Sequence, residues 1–168
     1  MPSVLMEAIA FAARAHAGQK RRDGKTPYVS HVFRVAMTLA LVFGVRDPDM
    51  LTVGVLHDTL EDTNTDFDDL EELYGRKIAH WVALLSKDKR LPESTREDVY
   101  MRQLASAPAK VKLIKLADMH DNLLDSKNAK PKQAKKTRGR MRDYLKILAK
   151  DKHPLLRQPL RILRNLAS

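Results

Sequence analysis

Apolar positions recur at three- and four-residue intervals along almost the whole chain, and strict alternation of apolar and polar residues persists nowhere. The spacing predicts helices over about 3–17, 31–43, 48–60, 67–74, 76–86, 93–105, 109–126, 133–150 and 154–167. Breakers separate them: Gly18, the turn Asp23-Gly24-Lys25-Thr26-Pro27, Gly44 with Pro48, Gly75, Pro92, Pro108, Pro131 and Pro154. Asp66-Phe67-Asp68-Asp69 places acids at a helix start, the positive end of the dipole. Near the C-terminus, Met141, Tyr144, Leu145 and Leu148, then Leu155, Leu156, Leu160, Leu163 and Leu166, form apolar stripes. Connections are short and no repeat or linker marks a second unit. The expectation is an all-α fold of eight to ten helices in a single domain over 1–168.

Composition narrows the class. At 168 residues, 43% hydrophobic and 31% charged, the chain suits one globular core. No apolar run approaches the ~20 residues of a membrane span, and the first segment lacks the layout of a signal peptide. Without cysteine there is no disulfide and no thiolate ligand. A cytoplasmic protein is expected. The net charge of +10 is uneven: residues 127–168 carry 14 Lys and Arg against Asp143 and Asp151, a net of +12. Such a basic helical third can bind nucleic acid, draw in an anionic ligand, or form a solvated face. With one Trp, four Tyr and four Phe there is no interleaved stacking platform, so a basic RNA-binding protein is the non-enzyme alternative and the weaker one.

The segment GVLHDTLEDTN, residues 54–64, sets His57, Asp58, Glu61 and Asp62 among residues that favour burial. On one continuous helix at about 100° per residue the four share a face bordering the stripe of Val53, Leu56 and Leu60, as in a lined cavity. Burying charge without a partner is costly. The plain alternative is a helix cap, and the chain holds a second His-Asp pair, His120-Asp121, which reads as incidental. Upstream, KRRDGKTPYVSH leads a basic turn into His31; downstream, VKLIKLADMHDNL carries Asp118 and Asn122. Two imidazoles and two carboxylates, from His31, His57, Asp58 and Asp118, would form a mixed N/O site for a hard or borderline divalent cation.

The three blocks RRDGKTPYVSH, GVLHDTLEDT and IKLADMHDN, in that order, resemble the HD-domain hydrolases, and among them the hydrolase domain of RelA/SpoT homologues. SKDKRLPESTREDVYMRQLASAPAKVKLIKLAD and RMRDYLKIL resemble the stand-alone small alarmone hydrolases. The resemblance covers about residues 5–150. It implies that His31, His57, Asp58 and Asp118 bind one Mn²⁺, and that the reaction is hydrolysis of the 3′-pyrophosphate of ppGpp or pppGpp. It also implies that Glu61 and Asp62 handle the attacking water, with Glu61 the better base because desolvation beside the apolar stripe would raise its pKa. An arginine of the basic turn, Arg21 or Arg22, would pack on the base, with Lys25 beside it. Asn122 would reach the ribose or base, and Arg140 and Tyr144 would approach from the late helix.

The chain departs from the family's usual pattern at three points. Val32 stands where proline commonly follows the PYxxH histidine, Asp121 where histidine or tyrosine is frequent, and Leu124 where arginine is frequent. The last two leave the base preference open, so (p)ppApp and NADPH stay as alternative substrates. A chain of this length leaves no room for the family's synthetase domain, so only degradation is expected. A homodimer is compatible with all of this.

Overall fold

The computed structural model describes residues 3–126 and 130–167; the outermost ends of the expected domain, and residues 127–129 at the start of its basic third, lie outside them. Among these residues ten α-helices follow one another: α1 (Val4–Ala15), α2 (Val29–Met37), α3 (Pro48–Leu56), α4 (Thr59–Asp62), α5 (Phe67–Tyr74), α6 (Arg76–Leu85), α7 (Glu93–Ser106), α8 (Ala109–Asp125), α9 (Pro131–Leu148) and α10 (Pro154–Ala167). A π-helical segment, Thr38–Val42, continues α2. Among the described residues the extended pairing is confined to an isolated bridge between Lys20 and Pro27. The fold is all-α, as the spacing predicts. Asp66 caps α5 through a reciprocal pair of bonds with Asp69, so the acids at that start do close a capping box.

Two elements differ from the expected ones. The helix expected over 31–43 begins at Val29 and widens after Met37, with Phe43 N–H donating to the Thr38 carbonyl at 3.0 Å. In this segment Leu39 is wholly buried and Leu41 faces solvent, and Gly44 then turns the chain at φ 72°. The second difference, a break inside 48–60, shapes the site and is described there.

Helix α8 is the central element. It touches α2, α3, α6, α9 and α10, and buries Val111, Ile114, Leu116, Ala117 and Met119. A helix covered on every side normally lacks charge, yet α8 also buries Lys112, Lys115, Asp118 and Asp121. Lys112 is matched by Asp151 at 2.7 Å, beyond the end of α9. The other three face the site. On the far side α10 lays Leu156, Leu160 and Leu163 against the core, which is what the C-terminal stripe predicts. Helix α3 runs close to α2: a Cβ at Gly54 would sit 2.8 Å from Leu39 Cδ1 and 3.5 Å from Ala36 Cα. Glycine at position 54 permits that approach. No helix among the described residues is long and apolar enough to cross a membrane.

Candidate active site

Helix α3 stops at Leu56 because two side chains beyond it take over its terminal carbonyls. His57 Nδ1 lies 2.9 Å from the Gly54 carbonyl, and Thr59 Oγ1 donates to the Leu56 carbonyl at 2.7 Å. Asp58 then occupies the bridge region at φ −100°, ψ −1°, a conformation frequent in active sites. The chain restarts as the single turn α4, which carries Glu61 and Asp62. The continuous helix over 48–60 is therefore corrected. The face read from it is not a helical face; a reversal at His57-Asp58 directs Asp58, Glu61 and Asp62 to the walls of one pocket, with His57 buried behind them.

One group of potential metal donors stands out among the described residues: atoms of His31, His57 and Asp118 that all lie within 4.8 Å of one another. His31 comes from α2, His57 from the break and Asp118 from α8. His31 Nε2 is 3.2 Å from Asp118 Oδ1, and His57 Nε2 is 3.8 Å from the same oxygen. Asp58 falls outside that group, although its Oδ2 is 3.4 Å from His31 Nε2 and 3.1 Å from His57 Nε2. The same Oδ2 accepts the Tyr28 hydroxyl at 2.6 Å.

The donors fit a cation. A carbonyl only accepts, so the bond to Gly54 places the His57 proton on Nδ1 and leaves a lone pair on Nε2. That Nε2 is buried with no hydrogen-bond partner. His31 Nδ1 is likewise engaged, 2.6 Å from Asp121 Oδ2, and its Nε2 also faces carboxylates. Lone pairs facing lone pairs require positive charge between them. Without an ion a proton takes that place on the rings: burial resists a charged ring, yet the Asp118, Asp121 and Asp58 carboxylates hold the His31 pKa up at about 9. Burial is overcome in the same way at His57, held at about 10 by Asp58 and Asp118. Burial would raise the Asp118 carboxyl, but the Lys115 ammonium and the two imidazoles keep it well below the ordinary range. This is a set of donors suited to a divalent ion.

A supporting layer holds these donors, and sequence reasoning missed most of it. Asp121 is almost fully buried and bonds His31 Nδ1 while Arg34 grips both of its oxygens. The His120-Asp121 pair is thus not incidental: Asp121 orients a candidate ligand from 90 residues away in sequence. Lys115 Nζ lies 2.7 Å from Asp118 Oδ2, one turn earlier on α8, and packs over the Tyr100 and Tyr144 rings. Tyr28, from the quoted PYVSH, ties Asp58 and also reaches Asp62 at 3.3 Å. Gln19 donates to the Asp62 carbonyl at 2.6 Å and contacts His16, whose ring lies against Tyr28. The spacing of Lys115 to Asp118 carried a signal, since residues three apart share a helix face. For Asp121 and Gln19 no local signal existed.

The pocket itself has a volume of about 220 Å³. Its acids are Asp58, Glu61, Asp62 and Asp118, and its cations are Lys20, Arg21, Arg22, Lys87, Lys115 and Arg140. Glu61 is part-buried, and that burial raises its carboxyl despite the Lys87 backbone N–H donated at 2.9 Å. Asp62 pairs with Lys89 at 2.6 Å. Burial and the neighbouring Lys115 charge lower the Lys87 ammonium, with Glu97 opposing them at 3.1 Å. Asn122 and Tyr144 also line the pocket. Asn122 donates to Asp118 and accepts from Arg21, and the Tyr144 hydroxyl donates to Glu97.

The basic turn divides. Arg21 is buried, bonded to Asp125 at 2.9 Å and lying 5.4 Å from the Tyr28 ring centroid, so most of its guanidinium is committed to the scaffold. Arg22 is exposed and crosses to α9, donating to Thr137 Oγ1 at 2.7 Å. Lys25 is not brought to the pocket. The Asp23 carboxylate accepts its backbone N–H at 2.8 Å and that of Thr26 at 2.9 Å, closing the turn with Lys25 exposed at the tip.

Known proteins resemble this chain in sequence and fold. The family model described as an HD domain matches residues 8–150. The chain is 39% identical over 130 residues to guanosine-3′,5′-bis(diphosphate) 3′-pyrophosphohydrolase MESH1 of Xenopus tropicalis, covering 77% of this chain and 73% of that protein. Identity to the Homo sapiens MESH1 is 38% over 128 residues, covering 76% and 72%. A solved structure described as a metazoan ortholog of SpoT that hydrolyzes ppGpp superposes with a TM-score of 0.85 at 30% identity, covering 98% of this chain and 97% of that one. By both sequence and fold, the chain belongs to the HD-domain family, among its MESH1-like hydrolases.

Proposed function

We propose that the protein is a Mn²⁺-dependent hydrolase that removes the 3′-pyrophosphate of ppGpp and pppGpp, giving GDP or GTP and pyrophosphate. The observation that carries this is one pocket holding both an acid–imidazole cluster that requires a cation and a surrounding set of six cationic side chains. A phosphorylated nucleotide answers both needs, and the relatives bear that activity in their names.

His31, His57, Asp58 and Asp118 would hold the ion, Asp58 from the position that Tyr28 fixes. When bound, the ion supplies Lewis acidity toward the phosphoryl group and lowers the pKa of its water. Glu61 accepts the proton of the attacking water, and its burial-raised pKa suits a base working near neutral pH. The backbone N–H of Lys87 holds the Glu61 carboxylate in place, and Lys89 with Tyr28 holds that of Asp62. Water adds its oxygen to phosphorus as the P–O3′ bond breaks, and the 3′-oxygen takes a proton, returned through Glu61 or solvent, to leave as the 3′-hydroxyl of GDP or GTP. Lys87 and Arg140, which line the same pocket, neutralise the departing pyrophosphate, and the lowered Lys87 ammonium regains stability beside an anion. Arg22, Asn122 and Tyr144 bound the remaining space for nucleoside.

Incubation of the purified protein with Mn²⁺ and a panel of ppGpp, ppApp and NADPH, with products separated by chromatography, tests the assignment. Guanosine diphosphate and pyrophosphate are the expected products. An inert ppGpp beside a dephosphorylated NADPH would replace the substrate, and a silent panel would remove the activity.

A further inference from the structure

A second recess, about 320 Å³ in volume, opens beside the first. Its walls are Arg22, Gln133, Lys136, Thr137 and Arg140. Arg22 and Arg140 belong to both cavities. The two spaces are therefore neighbours across a pair of guanidiniums. They differ sharply in charge. The first mixes four acids with its cations, whereas the second has three cationic side chains and, among the described residues, no acidic one.

The shared arginines are not loose. Arg22 Nη1 donates to Thr137 Oγ1 at 2.7 Å, and Thr137 is buried. That bond crosses 115 residues of sequence and sets the guanidinium at the boundary between the cavities. Arg140 faces Glu97 at 3.8 Å with one nitrogen, which leaves the rest of its planar fork for a ligand. Lys136 is exposed and has no ion-pair partner among the described residues. Gln133 and Lys136 lie three apart on α9, hence on one face of that helix. Two guanidiniums, an ammonium, an amide and a hydroxyl around one empty volume match the oxygens of a phosphoryl group.

We infer that this recess binds the second phosphoryl group of the substrate, the 5′-di- or triphosphate of a nucleotide whose 3′-pyrophosphate is cleaved next door. The inference rests on the proposed function, because it takes the acid–imidazole cluster as the cleaving end. It assigns to Lys136 and Gln133 a local contact that a diffuse field from the basic C-terminal third does not supply. It also makes the enzyme selective for nucleotides charged at both ends.

The test compares two substrates and two lysines. Guanosine 3′-diphosphate carries the scissile group and lacks the 5′-phosphates; ppGpp carries both. The native protein should favour ppGpp in kcat/KM. Lys136→Gln should raise KM for ppGpp roughly tenfold, the worth of a charged hydrogen bond, and shrink its advantage over guanosine 3′-diphosphate. Lys135→Gln removes the same charge one position away, from a residue that does not line the recess; at physiological ionic strength, where long-range steering is screened, it should leave the ratio between the substrates where it was. Both lysines are exposed, so neither change endangers folding. A ratio unmoved by Lys136→Gln, or moved equally by Lys135→Gln, overturns the recess while leaving the hydrolase intact. Native protein that cleaves neither guanosine compound overturns the functional reading, and this assignment with it.

Discussion

The acidic end and the basic end of the pocket are built in opposite ways. His31, His57 and Asp118 are buried, and each is held by an interior partner: Asp121, the Gly54 carbonyl and Lys115. Arg22, Lys136 and Arg140 stand toward solvent, with one hydroxyl and one distant carboxylate between them. An ion bound by few donors gains from rigid placement, because a displaced donor forfeits its bond. A phosphate is held by charge spread over several oxygens, so several cationic side chains share the hold and each contributes a part. The difference teaches where damage should be catastrophic and where it should be graded.

The sharpest break is at the acidic end. His57→Ala or Asp118→Ala should abolish stoichiometric Mn²⁺ and turnover together, read by metal analysis after desalting and by product release. Asp118→Ala should also destabilise the fold, since it strands the buried Lys115 ammonium; losing one partner of a buried ion pair costs roughly 3–5 kcal/mol. Denaturant unfolding of the metal-free protein reads that loss separately from metal. A variant that keeps both full metal and full rate would mean the ligands are misassigned.

Next in size is the pair that handles water without holding the ion. Glu61→Gln with Asp62→Asn should retain Mn²⁺ and bind ppGpp, while kcat falls by a factor of about 10² to 10⁴. The proton must be absent from Glu61 for it to act as base. Burial raises its pKa, so the acid limb of kcat/KM should lie above the ordinary carboxylate range. Release of metal from this double variant would move the two acids into the ligand set.

A smaller effect separates orientation from ligation. Asp121→Asn keeps the size of the side chain and weakens its hold on His31 and Arg34. Mn²⁺ affinity, measured by chelator competition, should drop about 10- to 100-fold, and raised Mn²⁺ should restore kcat. An unchanged affinity would reduce Asp121 to a packing role.

Which of these residues a reader could find in the sequence follows from how far apart the partners lie. The helices were legible because apolar spacing is local, and the candidate ligands because three short blocks stand in an order that resembles one family's pattern. The break after Leu56 was not legible: no glycine or proline marks it, and it depends on His57 and Thr59 folding back onto carbonyls. The π-helical segment had no signal in the spacing either. Asp121 looked like a chance dipeptide because its partners, His31 and Arg34, lie 90 and 87 residues away. Lys25 looked like a binding residue because the turn around it is basic, and only the closure by Asp23 shows it facing outward. Proximity in sequence identified chemistry; proximity in space assigned it.

The weakest effects belong to the basic helices, and salt distinguishes contact from steering there. Arg22→Ala removes a side chain common to both cavities, so its rise in KM should persist as ionic strength increases. Lys132→Gln with Lys135→Gln removes two exposed charges of α9 that line neither cavity. Their loss should lower kcat/KM for ppGpp only at low salt, where the field of a net +12 segment reaches an incoming anion. The deficit should fade once the Debye length shortens to ~8 Å, near physiological ionic strength. The measurement is kcat/KM for both variants across a salt series. Parallel salt dependence would merge the basic end into one diffuse field, and a salt-resistant deficit in the lysine pair would place α9 in direct contact further toward its N-terminus than the two cavities reach.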